Sequence, residues 1–147
     1  MTDKKTKTFD LSIFDTVSAS NRGAVIELTN RETGKPSGVC FKVLGTDSTE
    51  WRDAQNELTN KRTRQYFKAQ RSGRPDAHLS TAEERDAEAI NLLAAVTIDW
   101  WIGDDHGLPY DGNDLPCNPA NAALIYARYP AIFKEVDAFV GDMANFI

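Results

Sequence analysis

Two stretches in the first third of the chain alternate apolar and polar residues. Residues 24–29 alternate in this way, and so do residues 39–44. Between them, residues 30–38 are rich in glycine, proline and other turn formers. A period of two puts the apolar side chains on one face of a strand, so the pattern predicts an antiparallel β-hairpin. Residues 9–13 alternate as well, and although one turn of helix is also compatible, the alternation predicts a short third strand.

The pattern then changes to the 3.6-residue period of an α-helix. Thr46, Asp47 and Ser48 supply side chains that can cap a helix, and the helix is predicted over residues 49–70. Its apolar positions form a thin stripe, which is typical of a helix that packs against one neighbour or protrudes. Residues 73–79 contain a glycine and a proline, so they are predicted to end the helix and to form a hinge.

Stronger helical spacing follows this hinge. Residues 80–84 hold a serine or threonine cap with a glutamate three residues later, as in a capping box. Apolar residues then recur at helical spacing as far as Trp101. The pattern predicts a central buried helix that ends at Gly103, followed by a polar loop over residues 104–118 with an Asp-Gly turn.

Two shorter helices complete the predicted elements. Asn118 and Pro119 have the cap-then-proline order of a helix start. The pair Tyr129-Pro130 interrupts the pattern, and the last helix is predicted from about Pro130 to Ala144.

Together these elements predict an α+β fold. An N-terminal antiparallel β-hairpin of two or three strands is followed by a mainly α-helical C-terminal region of about four helices. The predicted organisation is a disordered arm over residues 1–8, a β-hairpin lobe over 9–48, and a helical domain over 49–147 with a hinge near 73–79.

Composition sets limits on the class of protein. The chain has 147 residues, of which 41% are hydrophobic, enough for one modest core. No apolar run approaches the ~20 residues of a membrane-spanning helix. The first eight residues lack the apolar centre of a signal peptide, so we expect a cytoplasmic protein with Cys40 and Cys117 reduced.

Charge is distributed unevenly between the two halves of the chain. Residues 1–74 hold 14 Lys and Arg against nine Asp and Glu, a balance of +5, whereas the rest hold three against 13, a balance of −10. Residues 61–74 contain six basic and no acidic residues. This basic run is compatible with a solvated helix surface, with charge-mediated assembly, or with a nucleic-acid backbone. The assembly interpretation, which includes self-association, rests on Lys61, Arg62, Arg64 and Lys68.

The sequence evidence for a catalytic site or a metal site is weak. Five residues with metal-binding side chains crowd one predicted loop, but their spacing fits neither a calcium loop nor a closed zinc set. They are Asp104, Asp105, His106, Asp111 and Asp114. No nucleophile elbow or glycine-rich phosphate loop is present in the sequence. We therefore expect no catalytic residue, no metal site and no cofactor.

Aromatic side chains are concentrated after residue 98. Most of them are expected to fill the core, because a small domain has few other large side chains. A subset is a candidate lining for a groove that binds an apolar helix.

The motif order from residue 98 to the end resembles the tail assembly chaperones of long-tailed bacteriophages. An aromatic pair and a glycine turn come first, then a Pro-flanked segment, a Pro-started helix and a terminal aromatic. The aromatic pair and glycine turn are Trp100-Trp101-Ile102-Gly103, and the Pro-flanked segment is residues 110–116. The Pro-started helix begins at Asn118-Pro119, helical spacing follows over residues 132–140, and the terminal aromatic lies within residues 142–147. Upstream, Thr33-Gly34 in the hairpin turn and the step Gly45-Thr46-Asp47-Ser48 extend the resemblance to residues 9–147.

The resemblance implies a non-enzymatic assembly factor without a cofactor. Such a protein acts in the host cytoplasm, binds the tape measure protein, keeps it soluble and recruits the major tail (tube) protein. It also implies that partner binding involves the C-terminal region, here Trp100, Trp101, Tyr126, Tyr129, Phe133, Val140 and Phe146. The alternative is a nucleic-acid-associated protein that uses the basic helix over residues 61–74.

Overall fold

A four-stranded antiparallel sheet forms the centre of the molecule. The structure is a computed structural model that describes residues 10–147, so the predicted arm over 1–8 and Phe9 lie outside it. The sheet has the order β1-β2-β3-β4, and its strands are Ala24–Thr29, Pro36–Val43, Thr97–Ile102 and Asp105–His106. Strands β1 and β2 pair antiparallel, which confirms the predicted hairpin.

Strand β3 replaces the end of the predicted central helix. Helix α3 stops at Ala95, and Thr97–Ile102 pairs antiparallel with β2, so that Trp100 lies opposite Phe41. The residues of β3 are mainly β-branched and aromatic, which favours a strand, and they complete the hydrogen bonding of β2. Apolar residues occupy so many successive positions here that their spacing fits a helix as well.

The predicted fold class is therefore wrong. The described residues form a mixed α/β structure with five α-helices and six strands in two sheets. Four of the six strands follow α3, so the C-terminal part is not simply helical. Because β3 pairs with β2, one sheet joins residues from the predicted hairpin lobe and from the predicted helical domain.

The predicted polar loop contains three of these strands. β4 pairs with the end of β3, while β5 (Leu108–Tyr110) and β6 (Asn113–Leu115) form a second, two-stranded sheet. Asp111 and Gly112 connect β5 to β6 with φ angles of 50° and 80°. Positive φ at both central residues is the pattern of a two-residue hairpin turn, so the predicted Asp-Gly turn is confirmed as part of a hairpin.

Helices α2 (Thr49–Arg71) and α3 (Ala82–Ala95) form a helical hairpin between β2 and β3. Both begin at their predicted caps. The side chain of Ser48 accepts a hydrogen bond from the N–H of Trp51, and Thr81 and Glu84 form a reciprocal capping box. A 3₁₀ turn, Pro75–His78, connects the helices where the sequence predicts a hinge; hinge motion there stays a prediction.

The last two helices cover the inner face of the central sheet. Helix α4 (Pro119–Arg128) begins at its Asn118 cap, and α5 (Pro130–Val140) follows the predicted break at Tyr129. The last helix is shorter than predicted, because it ends at Val140 and a separate 3₁₀ turn, Met143–Asn145, follows.

A short helix precedes the central sheet. Leu11–Phe14 is a 3₁₀ turn rather than the predicted third strand, and helix α1 (Thr16–Arg22) continues from it. Asp10 and Asp15 each cap the element that follows, which explains why this stretch turns instead of extending.

Three large aromatic side chains lie at the centre of the core. Trp100, Phe41 and Tyr126 are almost completely buried, and Phe41 contacts both of the others. The indole N–H of Trp100 donates to the carbonyl oxygen of Leu115 at 2.8 Å, which ties the small sheet to the central one. The sheet, α4 and α5 therefore enclose one common core.

Candidate functional site

A groove opens where the central sheet, the β5–β6 hairpin and the corner between α4 and α5 meet. Its volume is about 290 Å³. We call it the main groove. Its apolar lining comes from all three parts: Leu28, Val39, Ile102, Leu108, Pro109, Tyr110, Ile125, Tyr129, Ala131 and Ile132.

The floor of the main groove consists of strand residues whose side chains point to the same face of the central sheet. Val39 lies directly opposite Ile102 in the β2–β3 ladder, so both side chains point to the same face. Leu28 is on the neighbouring strand and is buried. On the inner face of the sheet, α4 contacts β3 and α5 contacts β1, and the main groove opens beside these contacts.

Three polar side chains at the rim, those of Glu135, Thr29 and Ser37, have hydrogen-bond partners within the chain. The Glu135 carboxylate accepts hydrogen bonds from the N–H and the hydroxyl of Thr29, at 3.0 and 2.9 Å. The hydroxyl of Ser37 donates to the carbonyl oxygen of Leu28 at 2.6 Å. Since these polar groups already have partners, an incoming apolar side chain does not strip them of hydrogen bonds.

The rim also carries positive charge. Arg31 lines the main groove, and Lys134 lines an adjoining depression together with Arg31. On another wall, the guanidinium of Arg128 donates to the hydroxyl of Tyr110 at 3.3 Å and lies 5.8 Å from the ring centre of Tyr129. The groove is therefore an apolar surface with a largely basic border.

Most of the predicted partner-binding residues belong to the core. Trp100, Tyr126, Val140 and Phe146 are buried. Phe133 is partly buried and packs edge-on against Tyr126, with ring centres 6.0 Å apart.

The two remaining residues of that set reach different surfaces. Tyr129 is 41% exposed and lines the main groove. Trp101 lies on the opposite side of the sheet, where it lines a shallow depression with Val25, Lys42, Asp99 and His106. We call this surface the outer sheet face. A role for any of the seven residues in partner binding stays a prediction.

The two cysteines are poor nucleophiles in this structure. Burial raises the pKa of the Cys117 thiol to about 12, and the nearby charge of Asp99 adds to the effect. Burial, with a smaller contribution from Glu27, also raises the pKa of Cys40. Because the thiolate is the reactive form, neither thiol is activated at neutral pH.

The predicted charge-mediated residues lie along α2 and do not form one face. The Arg62 guanidinium donates to the Glu88 carboxylate of α3 at 2.9 Å. Lys61 and Arg64 line a cleft between α2 and α3, whereas Lys68 borders a depression near the end of the helical hairpin. Part of the basic run is therefore balanced by the acidic half of the same chain.

The acidic residues near Trp101 are dispersed over two small hairpins. Asp105 and His106 belong to β4, Asp111 occupies the β5–β6 turn, and Asp114 belongs to β6. Within residues 10–147, no three His, Cys, Asp or Glu side chains are grouped so that they could hold a metal ion. In the same range, no helix has the length and apolar character that crossing a membrane requires.

Comparisons of the chain with protein-family models, with curated proteins and with solved structures find no match. The resemblance to tail assembly chaperones therefore rests on the order of motifs in the sequence.

Sequence reasoning missed most of the main groove. The alternation in β1 and β2 does place Leu28 and Val39 on one face, and this signal was available. The sequence pattern predicts a helix at Ile102 and a polar loop at Leu108. Their contribution follows from strand pairing, which the local pattern does not specify.

Proposed function

We propose that this chain is a phage tail assembly chaperone that binds the tape measure protein, keeps it soluble and recruits tail tube subunits in the host cytoplasm. The order of motifs in residues 9–147 supports this proposal. The main groove is the observation that carries it, because it offers an apolar surface with a polar border to a partner. No catalytic step and no cofactor are part of the proposed role.

The main groove suits a short apolar segment of a long client. Its volume of about 290 Å³ is at the small end of the range for ligand pockets, enough for a few apolar side chains. Amphipathic helices commonly bind by placing such side chains in a hydrophobic groove. Many copies, each covering one segment, would mask a long tape measure protein.

The outer sheet face is the proposed contact for the tail tube protein. Val25 is 49% exposed and lies on this face with Trp101. It lies across the sheet from the main groove, so one copy could contact both partners at once.

Co-expression with the tape measure protein tests the client role. Ala131→Glu introduces a charge at the mouth of the main groove, on the second residue of α5. An acidic residue is favourable in the first turn of a helix, so the variant is expected to fold. We expect the wild type to keep the tape measure protein in the soluble fraction and Ala131→Glu to lose this effect.

Ala120→Glu is the matched control. Ala120 is exposed, occupies the same second position in α4, and is not part of the main groove lining. Equal recovery of soluble tape measure protein with Ala131→Glu and Ala120→Glu would contradict client binding in the main groove. No recovery even with the wild type would contradict the proposed function itself.

One observation favours the alternative function of nucleic-acid association. Tyr66 and Phe67 are 44% and 54% exposed within the basic part of α2, and exposed aromatics among cations can stack on bases. Binding to single-stranded and duplex DNA at physiological salt tests this function. Tight binding that Lys68→Glu weakens would favour the alternative over the chaperone.

A further inference from the structure

The segment Asp10–Val17, which we call the N-terminal segment, presents apolar side chains to solvent. Leu11 and Ile13 are 73% and 68% exposed, and Val17 is 42% exposed. The segment is nevertheless folded, because the side chains of Asp10 and Asp15 accept hydrogen bonds from the backbone N–H groups of Ser12 and Ser18. Large apolar side chains held in an ordered, exposed turn are typical of a binding surface.

Helix α1, which continues the N-terminal segment, joins one end of β1, and the main groove adjoins the other end. Helix α1 leads directly into Ala24 at the start of the strand, and its Ser20 carbonyl accepts the N–H of Gly45 beside that end. The main groove includes Thr29 at the other end of the strand. A six-residue strand spans about 20 Å, so α1 and the groove join the strand at points about 20 Å apart.

The charges of the two surfaces are complementary. The N-terminal segment carries two carboxylates, Asp10 and Asp15, and no basic side chain. Arg31 and Lys134 line the main groove or its adjoining depression, and Arg128 contacts the groove residues Tyr110 and Tyr129. Glu135 adds one negative charge to this lining, because the Thr29 groups that donate to it are neutral, so three cations face one carboxylate here.

We propose that the N-terminal segment of one copy binds in the main groove of a second copy. Leu11 and Ile13 would contact the apolar floor, and Asp10 and Asp15 would face the basic border. Each copy would then offer one segment and one groove, a heterologous contact that propagates into an open chain. The contact does not require a client, although a client in the main groove would compete with it.

Size-exclusion chromatography with light scattering on the full chain alone tests this contact. We expect the mass of the wild type to rise with concentration above the 16.3 kDa of a single copy. Leu11→Ser/Ile13→Ser removes the apolar side chains of the segment, and Ala131→Glu obstructs the groove. Each variant alone should remain at the mass of one copy.

A mixture of the two variants makes the test specific. The Leu11→Ser/Ile13→Ser protein keeps an intact groove, and the Ala131→Glu protein keeps an intact segment. Their mixture should form 1:1 dimers at twice the monomer mass and grow no further. A monomeric wild type at the highest concentration, or a mixture that stays monomeric although both variants are folded by circular dichroism, would overturn the proposal.

Two control variants distinguish this contact from nonspecific association. Leu79→Ser removes a side chain that is 64% exposed near the end of the α2–α3 hairpin, and it should leave the mass of the wild type unchanged. Ala120→Glu should also leave it unchanged. A loss of association in either control equal to that in the test variants would count against the proposal. No tape measure protein is present in this experiment. A negative result would therefore contradict the contact between copies but not the proposed client role, which the co-expression experiment tests.

Discussion

At the scale of single residues, Gly45 shows how closely distant parts of the chain approach. A Cβ atom at this position would lie 2.8 Å from the Cβ of Ser20 and 3.1 Å from the Cγ of Phe146. Ser20 belongs to α1 and Phe146 follows the last 3₁₀ turn, so a residue without a side chain allows the two ends of the described chain to meet beside β2.

We predict that Gly45→Ala destabilises the protein by about 1–3 kcal/mol, because overpacking forces such neighbours to move. Gly141→Ala is the control, since its added Cβ would contact the nearest atom at an ordinary 3.4 Å. Urea unfolding measures both variants. Equal free energies of unfolding for the two variants would contradict the close packing described around Gly45.

The buried hydroxyl pair Thr97–Tyr126 is the second residue-scale feature. The Thr97 hydroxyl donates to the carbonyl oxygen of Leu93 at 2.9 Å, so the Tyr126 hydroxyl, 2.6 Å away, is the donor to Thr97. Burial raises the pKa of Tyr126, which keeps this hydroxyl protonated. The pair fixes α4 against the junction of α3 and β3.

Tyr126→Phe is expected to lower the free energy of unfolding by about 0.5–1.5 kcal/mol, the usual contribution of one hydrogen bond. The aromatic ring remains in place, so the fold should be retained. Chemical denaturation followed by tryptophan fluorescence gives the value, and Tyr129→Phe, at a partly exposed position, serves as the comparison. A Tyr126→Phe variant with the same free energy of unfolding as the wild type would show that the buried pair contributes little.

At the scale of elements, the β5–β6 hairpin depends on its two-residue turn. Asp111 and Gly112 both have positive φ, which asparagine and glycine adopt most easily. The hairpin supplies one wall of the main groove through Leu108, Pro109 and Tyr110. The shape of the groove therefore depends on local turn chemistry.

We predict that Gly112→Ala destabilises this hairpin by about 1 kcal/mol, because an L-residue is strained at a φ of 80°. Asp111→Asn should be neutral or slightly stabilising, since it creates the preferred Asn-Gly turn. Hydrogen exchange of the backbone amides in β5 and β6 measures the effect. Unchanged protection in Gly112→Ala would contradict the turn geometry.

At the scale of the whole molecule, the opposite charges of the two halves meet partly within one copy. Arg62 and Glu88 form an ion pair across the α2–α3 hairpin. Lys61, Arg64 and Lys68, the other basic residues of the predicted charge-mediated set, stay exposed along α2.

Reversal of Lys61, Arg62, Arg64 and Lys68 to Glu is expected to leave the fold intact and to weaken self-association at low salt. Exposed charges interact over about 10 Å at 0.1 M salt but only about 3 Å at 1 M, so variant and wild type should converge at high salt. Light scattering at both ionic strengths checks this. Identical masses at low salt would remove the basic run from assembly.

Local chemistry accounts for the elements that were predicted correctly. The β1–β2 alternation, the Ser48 cap, the capping box at Thr81 and the start at Asn118 all depend on residues within a few positions of each other. Such signals act through nearby backbone groups, and the sequence displays them directly.

The incorrect fold class has a non-local cause. Residues 97–102 carry apolar side chains at helical as well as strand spacing, and only pairing with β2 selects the strand. That pairing brings Phe41 opposite Trp100, although the whole α2–α3 hairpin separates the two residues in the sequence. Residues 97–102 therefore form a strand rather than a helix because of backbone hydrogen bonds and buried contacts with β2, which is distant in the sequence.

Local residue patterns are enough to specify where most helices begin, where the first hairpin turns and which half of the chain is acidic. Strand pairing and packing make Thr97–Ile102 a strand, bury most of the predicted aromatic set in the core and form the main groove. A groove lined by Leu28, Ile102 and Ile132 requires three elements that meet only after folding. Its position depends on packing between distant segments, because local residue patterns specify conformation but not which surfaces remain uncovered.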